Sequence, residues 1–183
     1  MSTPNALHSA KTPRWGTPAW LIELARKLLG YIHLDPASSI EFNFLVKALM
    51  VYTEKDNGLA PECLWAGNIF LNPPGGLVLE FWNKLCKSYL VDKSVDAGFW
   101  VGFSVEQLCT LASETYHPSD FSMCVLRKRL NFNREDLQSG QSPSHGNYIC
   151  AMGVDHAEFE KLFAPYGKVT RGKLSLDISK PSC

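Results

Sequence analysis

Gly67-Asn68-Ile69-Phe70-Leu71-Asn72-Pro73-Pro74-Gly75-Gly76 is a short apolar run followed by a turn rich in proline and glycine. The run from Asn68 to Leu71 has the composition of a buried parallel strand. Pro73 disfavours helical geometry in the residue before it, so Asn72 is expected to continue the line of the strand. The segment therefore predicts a strand whose carboxyl end carries an asparagine.

The turn after this strand presents hydrogen-bond acceptors. Pro73 and Pro74 have no N–H group, so the turn offers carbonyl oxygens and few donors. The side-chain oxygen of Asn72 and the carbonyl oxygen of Pro73 can then converge on the –NH2 group of a substrate. Two such acceptors would stabilise the positive charge that grows on a nitrogen attacking an electrophile. A plain turn is the alternative, because Asn-Pro, Pro-Pro and Pro-Gly are all turn dipeptides.

The composition indicates one folded domain. The chain has 183 residues, of which 45% are hydrophobic and 11% aromatic, enough to bury a sizeable core. Its 18 basic and 18 acidic residues give a formal net charge of zero, so a nucleic-acid-binding surface would need a local concentration of positive charge. We expect a flexible segment over 1–14, one domain over 15–178 and a tail over 179–183.

The sequence also limits the class of partner. No signal peptide or membrane-spanning run is visible, so we expect no membrane partner and a cytoplasmic location. The histidines lack the spacing of a metal site, and no metal is expected. No sequence feature points to an oligomeric state.

Strands alternate with helices along most of the chain. The pattern predicts strands within 31–34, 51–53, 67–71, 97–103, 121–126, 147–152 and 167–178. Capping patterns predict helices that begin at Thr17-Pro18, at Ser38 with Glu41, at Ser104 with Gln107, and at Asp155, besides an amphipathic helix over 78–89. The second of these helices is expected to run to about Met50. This alternation predicts an α/β fold with a mainly parallel sheet.

Two predicted strands end in polar chemistry. One ends at Leu34-Asp35-Pro36 and the other at Asn72. In parallel α/β sheets, ligands bind outside the carboxyl ends of the strands, near the point where the strand order reverses. Neighbouring strands lie about 4.8 Å apart, so these two ends would share one crevice if the strands are neighbours. An isolated Asp-Pro pair is more often a simple turn.

Several motifs follow one another along the chain in a distinctive order. They are Trp15-Gly16-Thr17-Pro18, Leu34-Asp35-Pro36-Ala37-Ser38-Ser39, Tyr52-Thr53-Glu54-Lys55-Asp56-Asn57-Gly58-Leu59, Trp65-x-Gly67 and Asn72-Pro73-Pro74-Gly75. Fainter matches continue through 127–132, 142–146 and 163–167. This ordered set, spread over roughly 15–170, resembles the phage-type DNA N6-adenine methyltransferases. The Asn-Pro-Pro element alone is shared by many amino methyltransferases, whereas the full set is more specific.

The resemblance implies a fold, a cofactor and an acceptor. The fold would be a Rossmann-like methyltransferase sheet of reduced size, with helices on both faces and an antiparallel C-terminal strand. S-adenosylmethionine would donate a methyl group to the exocyclic N6 amino group of adenine in DNA. The catalytic motif would be Asn72, Pro73, Pro74 and Gly75. The cofactor would be bound by Trp15, Thr17, Pro18, Asp35, Pro36, Ala37, Ser38, Asp56, Asn57 and Asn72.

Direct methyl transfer agrees with the chemistry read from the residues. The reaction needs alignment and acceptors for the developing ammonium, and no covalent nucleophile. A base in a duplex must first be extruded from the stack. We expect DNA phosphates to be contacted by Arg127, Lys128, Arg129 and Arg134, with a solvated charged edge as the alternative.

Gly75 departs from the pattern that the resemblance implies. The family usually has an aromatic residue after the second proline, which would stack on the extruded base. Gly75-Gly76 would also free the turn to adopt positive φ. Other readings therefore stay open: a methyltransferase for cytosine N4, RNA or a protein amide, or a non-catalytic remnant that binds cofactor or DNA.

Overall fold

A computed structural model describes residues 16–133 and 145–178. Five helices lie in these ranges: α1 (Ala19–Leu29), α2 (Ile40–Val46), α3 (Val78–Cys86), α4 (Glu106–Thr110) and α5 (His156–Phe163). The seven strands there are β1 (Leu34–Asp35), β2 (Met50–Val51), β3 (Gly67–Leu71), β4 (Val95–Gly102), β5 (Ser122–Leu126), β6 (Tyr148–Met152) and β7 (Gly167–Thr170). The expected flexible segment 1–14, the tail 179–183, and the site residues Trp15 and Arg134 lie outside the described ranges.

The seven strands form one mixed sheet in the order β2-β1-β3-β4-β6-β5-β7. The pairings from β2 to β4 are parallel, whereas β6 is antiparallel to both β4 and β5, and β7 is antiparallel to β5. Five strands of the described sheet therefore run in one direction and two run against them. The prediction of one antiparallel strand, at the C-terminus, is wrong, because β6 and β7 both run against the other strands. β6 lies between β4 and β5 and is antiparallel to both, in addition to the antiparallel edge strand β7.

Helices cover both faces of the sheet. Alternate strand residues point to opposite faces. Phe70 and Phe99 pack in one apolar core with α1 and α5, whereas Ile69 and Trp100 pack in a second core with α3. The sheet is therefore buried on both sides, which agrees with the continuous apolar composition of β3 and β4.

Several predicted elements are confirmed. Strand β3 has the predicted bounds, and Gly30 ends α1 with φ 76°. Asp155 caps α5, since its Oδ1 accepts the N–H of Glu158 at 3.1 Å. Helix α3 continues the predicted amphipathic pattern and ends in a π turn over Lys87–Val91.

Two helix starts lie later than the capping patterns predict. Thr17 does not cap α1, because Pro18 occupies the cap position and its side chain makes no capping hydrogen bond. Ser104 Oγ accepts the N–H of Glu106, not that of Gln107, so the predicted capping box is not formed. In both cases the helix starts one residue later than predicted, and the predicted capping hydrogen bond is not formed.

Helix α2 is shorter than predicted at both ends. Its cap is Ser39 and not Ser38, since Ser39 Oγ accepts the N–H of Phe42 at 3.2 Å. The helix ends at Lys47, which has φ 53°, and does not reach Met50. The side chain of Asn43 also accepts the N–H of Ala48 at 2.8 Å, which ends the helical hydrogen bonding there.

Candidate functional site

The two polar strand ends are neighbours in the sheet. Strand β1 pairs with β2 on one side and with β3 on the other, so the strand order reverses between β1 and β3. This is the position where parallel α/β sheets bind ligands, outside the carboxyl ends of the strands. Asp35 is the last residue of β1, and Asn72 directly follows β3.

The strand register fixes how these two residues face each other. Leu34 pairs with Ile69, so Asp35 is level with Phe70, and Asn72 lies two residues further along. The strand rise and the spacing between strands then place the Cα atoms of Asp35 and Asn72 roughly 8 Å apart. Because side chains alternate, both residues belong to the face of the sheet that α1 covers. The crevice thus combines a carboxyl group and an amide group on one face.

Asp35 is a buried carboxyl group. The residue is 4% exposed, and its Oδ1 accepts the N–H of Ala37 at 3.2 Å. Burial raises the pKa of Asp35 from 3.8 to about 7, although the hydrogen bonds from Ala37 and Ser38 oppose this change. A nearby cation would favour the ionised form. The carboxyl end of β1 therefore suits a ligand that carries positive charge.

The turn after β3 is held in one conformation by α3. Asn72 is half-buried and Pro73 is buried. Pro74 has extended angles (φ −60°, ψ 136°), and its carbonyl oxygen accepts the N–H of Leu77 at 3.0 Å. The chain then passes through a short 3-10 turn directly into α3. The prolines are therefore followed by a helix that fixes where Asn72 lies.

Gly75 and Gly76 lie in that 3-10 turn and do not have positive φ. The glycine pair was expected to be free to adopt positive φ, but neither residue does so, because the turn is the first part of the helical segment. Both residues are exposed, and a Cβ atom added at either would meet no atom within 4 Å. The turn therefore has room for a side chain at position 75.

An open cleft of about 650 Å³ lies beside the crevice. Its walls are the start of α2 and the loop after β2, and it is lined by Ser39, Ile40, Glu41, Thr53, Glu54, Lys55 and Asp56. The N–H of Ser38 bonds to the carbonyl of Tyr52 at 3.1 Å and joins the two walls. The volume of the cleft falls in the range of small-molecule sites. Of the residues predicted to bind the cofactor, only Asp56 is among those that line the cleft, and neither Asp35 nor Asn72 is.

Asp56 and Asn57, both predicted to bind the cofactor, differ in their relation to the cleft. Asp56 lines the cleft, but its Oδ2 accepts both the N–H and the hydroxyl of Thr53 at 2.7 Å, which lowers the pKa of Asp56. Asn57 has a left-handed φ of 51° and is not among the residues lining the cleft. Sequence reasoning missed Glu54. The predicted loop already began at Glu54, and β2 ends earlier than predicted, at Val51, but no sequence pattern indicated that Glu54 lines the cleft.

Lys84 of α3 anchors the rest of that loop. Its Nζ donates to the carbonyl oxygens of Gly58, Ala60 and Cys63 at 3.0, 2.9 and 2.9 Å. Trp65 Nε1 donates to the same Gly58 oxygen at 2.9 Å, and Lys84 lies over the Trp65 ring. The motif residues Gly58 and Trp65 therefore support the wall of the cleft and do not line it.

The segment before α1 lies close to the same region. Gly16 and Asn133 exchange two backbone hydrogen bonds at 2.8 and 2.7 Å, and a Cβ at Gly16 would touch the ring of Phe42 in α2. Thr17 is 4% exposed, and its Oγ1 is buried without a hydrogen-bond partner among the described residues. Pro18 is also buried. The Gly16–Pro18 segment thus packs beside α2 and brings a buried hydroxyl to it.

The predicted basic segment follows the carboxyl end of β5, which lies at the same end of the sheet as the crevice. Arg127, Lys128 and Arg129 directly follow β5, which runs parallel to β3, and all three are exposed. Three strand spacings separate β5 from β3, which is roughly 14 Å. The segment is anchored by Asn147, whose Oδ1 accepts the N–H of Leu130 at 2.8 Å. The three cations are therefore exposed at the same end of the strands as the crevice.

Within residues 16–133 and 145–178, no helix is long and apolar enough to cross a membrane, and no group of three or more His, Cys, Asp or Glu could hold a metal ion. Comparison with protein-family models, curated proteins and solved structures finds no match to this chain.

Proposed function

We propose that this chain is an S-adenosylmethionine-dependent methyltransferase of a Rossmann-like fold that acts on the N6 amino group of adenine in DNA. The observation that carries the proposal is the pairing of β1 and β3 at the reversal of strand order, which brings Asp35 and Asn72-Pro73 to one crevice. The internal antiparallel strand β6 and the helices on both faces agree with such a fold.

The residues present fit this cofactor. S-adenosylmethionine supplies an electrophilic methyl carbon on a positively charged sulfur. Asp35 offers a buried carboxyl group for a cationic ligand, Thr17 offers a buried hydroxyl, and the cleft of about 650 Å³ offers space for the remainder. Glu54 and Thr53, in the loop after β2, are polar groups of the cleft wall that suit ribose hydroxyls.

Asn72 and Pro73 would act on the acceptor. The Asn72 side-chain oxygen and the Pro73 carbonyl accept hydrogen bonds from the two N–H bonds of the extruded base and orient its nitrogen. They also stabilise the positive charge that develops on this nitrogen during the transfer. The prolines and α3 hold these acceptors in place beforehand, so little reorganisation is needed in the transition state.

Methyl transfer to different acceptors, measured in parallel, tests the proposal. The full chain and labelled S-adenosylmethionine are incubated with DNA, RNA and a protein mixture. Label is expected in DNA, and digestion to nucleosides should place it on N6-methyl-2′-deoxyadenosine. Label found only in RNA, only in protein or only on cytosine would show that the proposed methyl acceptor is wrong. If calorimetry detects no binding of S-adenosylmethionine at about 1 mM, the proposed cofactor is wrong.

The basic segment provides a first quantitative prediction. Each phosphate that Arg127, Lys128 and Arg129 neutralise contributes about one to the slope of log affinity for DNA against log salt. Replacing all three with alanine should therefore reduce the steepness of this slope by up to about three. The measurement is fluorescence anisotropy with a labelled duplex over a salt series.

A matched control for this measurement is the pair Arg171 and Lys173. These cations lie beyond the far end of β7 and are paired with Asp177 and Asp120. Their replacement with alanine should leave the slope unchanged. An unchanged slope in the triple variant would instead move the DNA surface elsewhere, with Lys168 on β7 as the next candidate.

A second prediction concerns Gly75→Tyr. A Cβ atom at position 75 would meet no atom within 4 Å, and the turn does not require positive φ. An added aromatic ring can stack on an extruded base, which is worth about 1–3 kcal/mol, so activity on duplex DNA should rise by about tenfold. The native chain should prefer single-stranded oligonucleotides, for which extrusion costs less.

The control variant is Gly76→Tyr, which adds the same side chain at the next open position. Activity on duplex and single-stranded oligonucleotides is compared for the three proteins. If the native chain strongly prefers duplex DNA and Gly75→Tyr folds but loses activity, the missing ring is not what limits base binding.

A further inference from the structure

Two aromatic side chains, those of Trp20 and Tyr166, stack on each other at the surface of the molecule. Their ring centroids lie 4.8 Å apart, with an angle of 18° between the ring planes. Each of the two residues is 40% exposed. Trp65, Trp82 and Trp100 are at most 2% exposed, so Trp20 is the accessible tryptophan among these four. Burial in the core therefore does not account for the stacked pair.

The stacked pair lies at the end of the sheet that carries the crevice. Trp20 is the second residue of α1. Tyr166 directly precedes β7, whose Gly167 pairs with Leu126 at the carboxyl end of β5. Since β5 runs parallel to β3, the carboxyl ends of both strands lie at the same end of the sheet. Four strand spacings separate β7 from β3, which is roughly 19 Å.

The basic segment after β5 is joined to this pair by hydrogen bonds. The N–H of Arg127 donates to the carbonyl oxygen of Tyr166 at 2.9 Å, and Arg127 Nη2 donates to that of Ala164 at 3.4 Å. Arg127, Lys128 and Arg129 are exposed, and none of them forms an ion pair with an acidic residue in the described part of the chain. Three cations therefore adjoin an exposed aromatic stack.

Aromatic rings beside cations match the chemistry of single-stranded nucleic acid. Proteins that bind single strands follow the phosphates with positive charge and stack the bases on aromatic side chains. This stacking accepts any base, because every base has a π face. One turn along α1 from Trp20, the acid Glu23 forms an ion pair with Arg26, so it adds no isolated negative charge beside the stack. The combination of rings and cations favours a strand with unpaired bases over an apolar protein surface.

We propose that Trp20 and Tyr166 form an aromatic platform on which an unpaired base of single-stranded DNA stacks, while Arg127, Lys128 and Arg129 bind its phosphates. This inference deepens the proposed function and rests on it only in taking DNA as the partner. A stacked strand rises about 3.4 Å per nucleotide. The platform would therefore bind a nucleotide about five or six positions away from the base in the crevice.

Fluorescence anisotropy with the full chain and a labelled oligothymidine of about 12 nucleotides tests the platform. This oligonucleotide contains no adenine and no methyl donor is added, so the result does not depend on methyl transfer. Trp20→Leu and Tyr166→Leu should each raise the dissociation constant by about tenfold, because a base loses its stacking partner. The slope of log affinity against log salt should stay native, since no charge is removed.

An abasic oligonucleotide of the same length separates stacking from a structural effect. It should bind the native protein and Trp20→Leu equally, because it has no base to stack. Trp20→Phe keeps an aromatic ring and should bind oligothymidine within about twofold of the native protein. The tryptophan fluorescence that oligothymidine quenches in the native protein should be quenched less in Trp20→Phe.

The control variant is Tyr31→Leu, since Tyr31 is 52% exposed and precedes β1 at the opposite end of the sheet. Its affinity for oligothymidine should be native, and circular dichroism checks the folding of each variant. Native affinity in both Trp20→Leu and Tyr166→Leu would overturn the platform. So would an equal loss of affinity for the abasic oligonucleotide, or a native protein that binds no oligothymidine. Tighter binding of oligouridine with the same dependence on Trp20 would overturn DNA as the partner.

The same measurements distinguish failure of the platform from failure of the proposed function. A chain that methylates DNA but binds oligothymidine equally well after Trp20→Leu keeps the function and loses the platform. A chain that binds oligothymidine through Trp20 but transfers no methyl group keeps the platform and loses the enzymatic function.

Discussion

Replacing Asn72 with alanine is expected to lower the rate of methyl transfer by about 10²–10³ and to leave the affinity for the methyl donor nearly unchanged. Asn72 directly follows β3. In the proposed mechanism, its side-chain oxygen is one of two acceptors for the attacking amino group, and this interaction strengthens as the nitrogen becomes positive. Losing such an interaction lowers kcat and kcat/KM together.

Single-turnover kinetics with saturating donor and calorimetry of donor binding measure the two quantities separately. Asn68→Ala is the matched control, because Asn68 lies in the same strand and its Nδ2 donates to the carbonyl of Leu29 at 2.9 Å. That variant should lose stability without a comparable loss of rate. Unchanged turnover in Asn72→Ala would remove this residue from the mechanism, and a parallel loss of donor affinity would move it to the cofactor side.

The part of the site that sequence could predict is the part encoded locally. The strand over 67–71 and the turn after it follow from an apolar run and two prolines, whose effects extend over only a few residues. The cap at Asp155 is equally local. Of the adjacent residues Ser38 and Ser39, the capping-box spacing to Glu41 predicted Ser38 as the cap, whereas the cap is Ser39. The choice depends on which side chain reaches the N–H of Phe42 once the chain is folded.

The rest of the site depends on interactions between distant parts of the chain. Strand pairing is not encoded in any one segment, so the adjacency of β1 and β3 and the insertion of β6 between β4 and β5 could not be derived from spacing. Glu54 was expected in the loop after β2, but that it lines the cleft depends on how this loop packs beside the start of α2. The burial that raises the pKa of Asp35 is likewise a property of the packed structure.

Replacing Asp35 with asparagine is expected to increase the free energy of unfolding, by an amount that depends on pH. Burial raises the pKa of Asp35 from 3.8 to about 7 in the folded protein. The folded state therefore holds a proton that the unfolded state releases between these pH values, so stability falls as pH rises from about 4 to about 7. Above pH 7 the folded protein carries the full cost of a buried carboxylate, on the order of 4 kcal/mol.

Asparagine has nearly the shape of the protonated acid and can still accept the N–H of Ala37. Asp35→Asn should therefore match the native free energy of unfolding at pH 4 and exceed it at pH 8 by up to about 4 kcal/mol. Urea unfolding at several pH values measures the difference. The control is Asp56→Asn: hydrogen bonds from Thr53 lower the pKa of Asp56, so its contribution is present at pH 8 and lost in acid. This variant should lose stability at pH 8.

The Asp35→Asn variant also tests whether the buried carboxyl group contributes to cofactor binding. A buried carboxylate that destabilises the fold is the kind of feature that persists at ligand sites, where a bound cation offsets the cost. Adding S-adenosylmethionine at pH 8 should therefore raise the melting temperature of the native protein more than that of Asp35→Asn. Native donor affinity should also fall about tenfold per pH unit below 7, as Asp35 becomes protonated. A stability difference that is the same at pH 4 and pH 8 would show that Asp35 keeps an ordinary pKa, and equal ligand effects on both proteins would separate Asp35 from the cofactor.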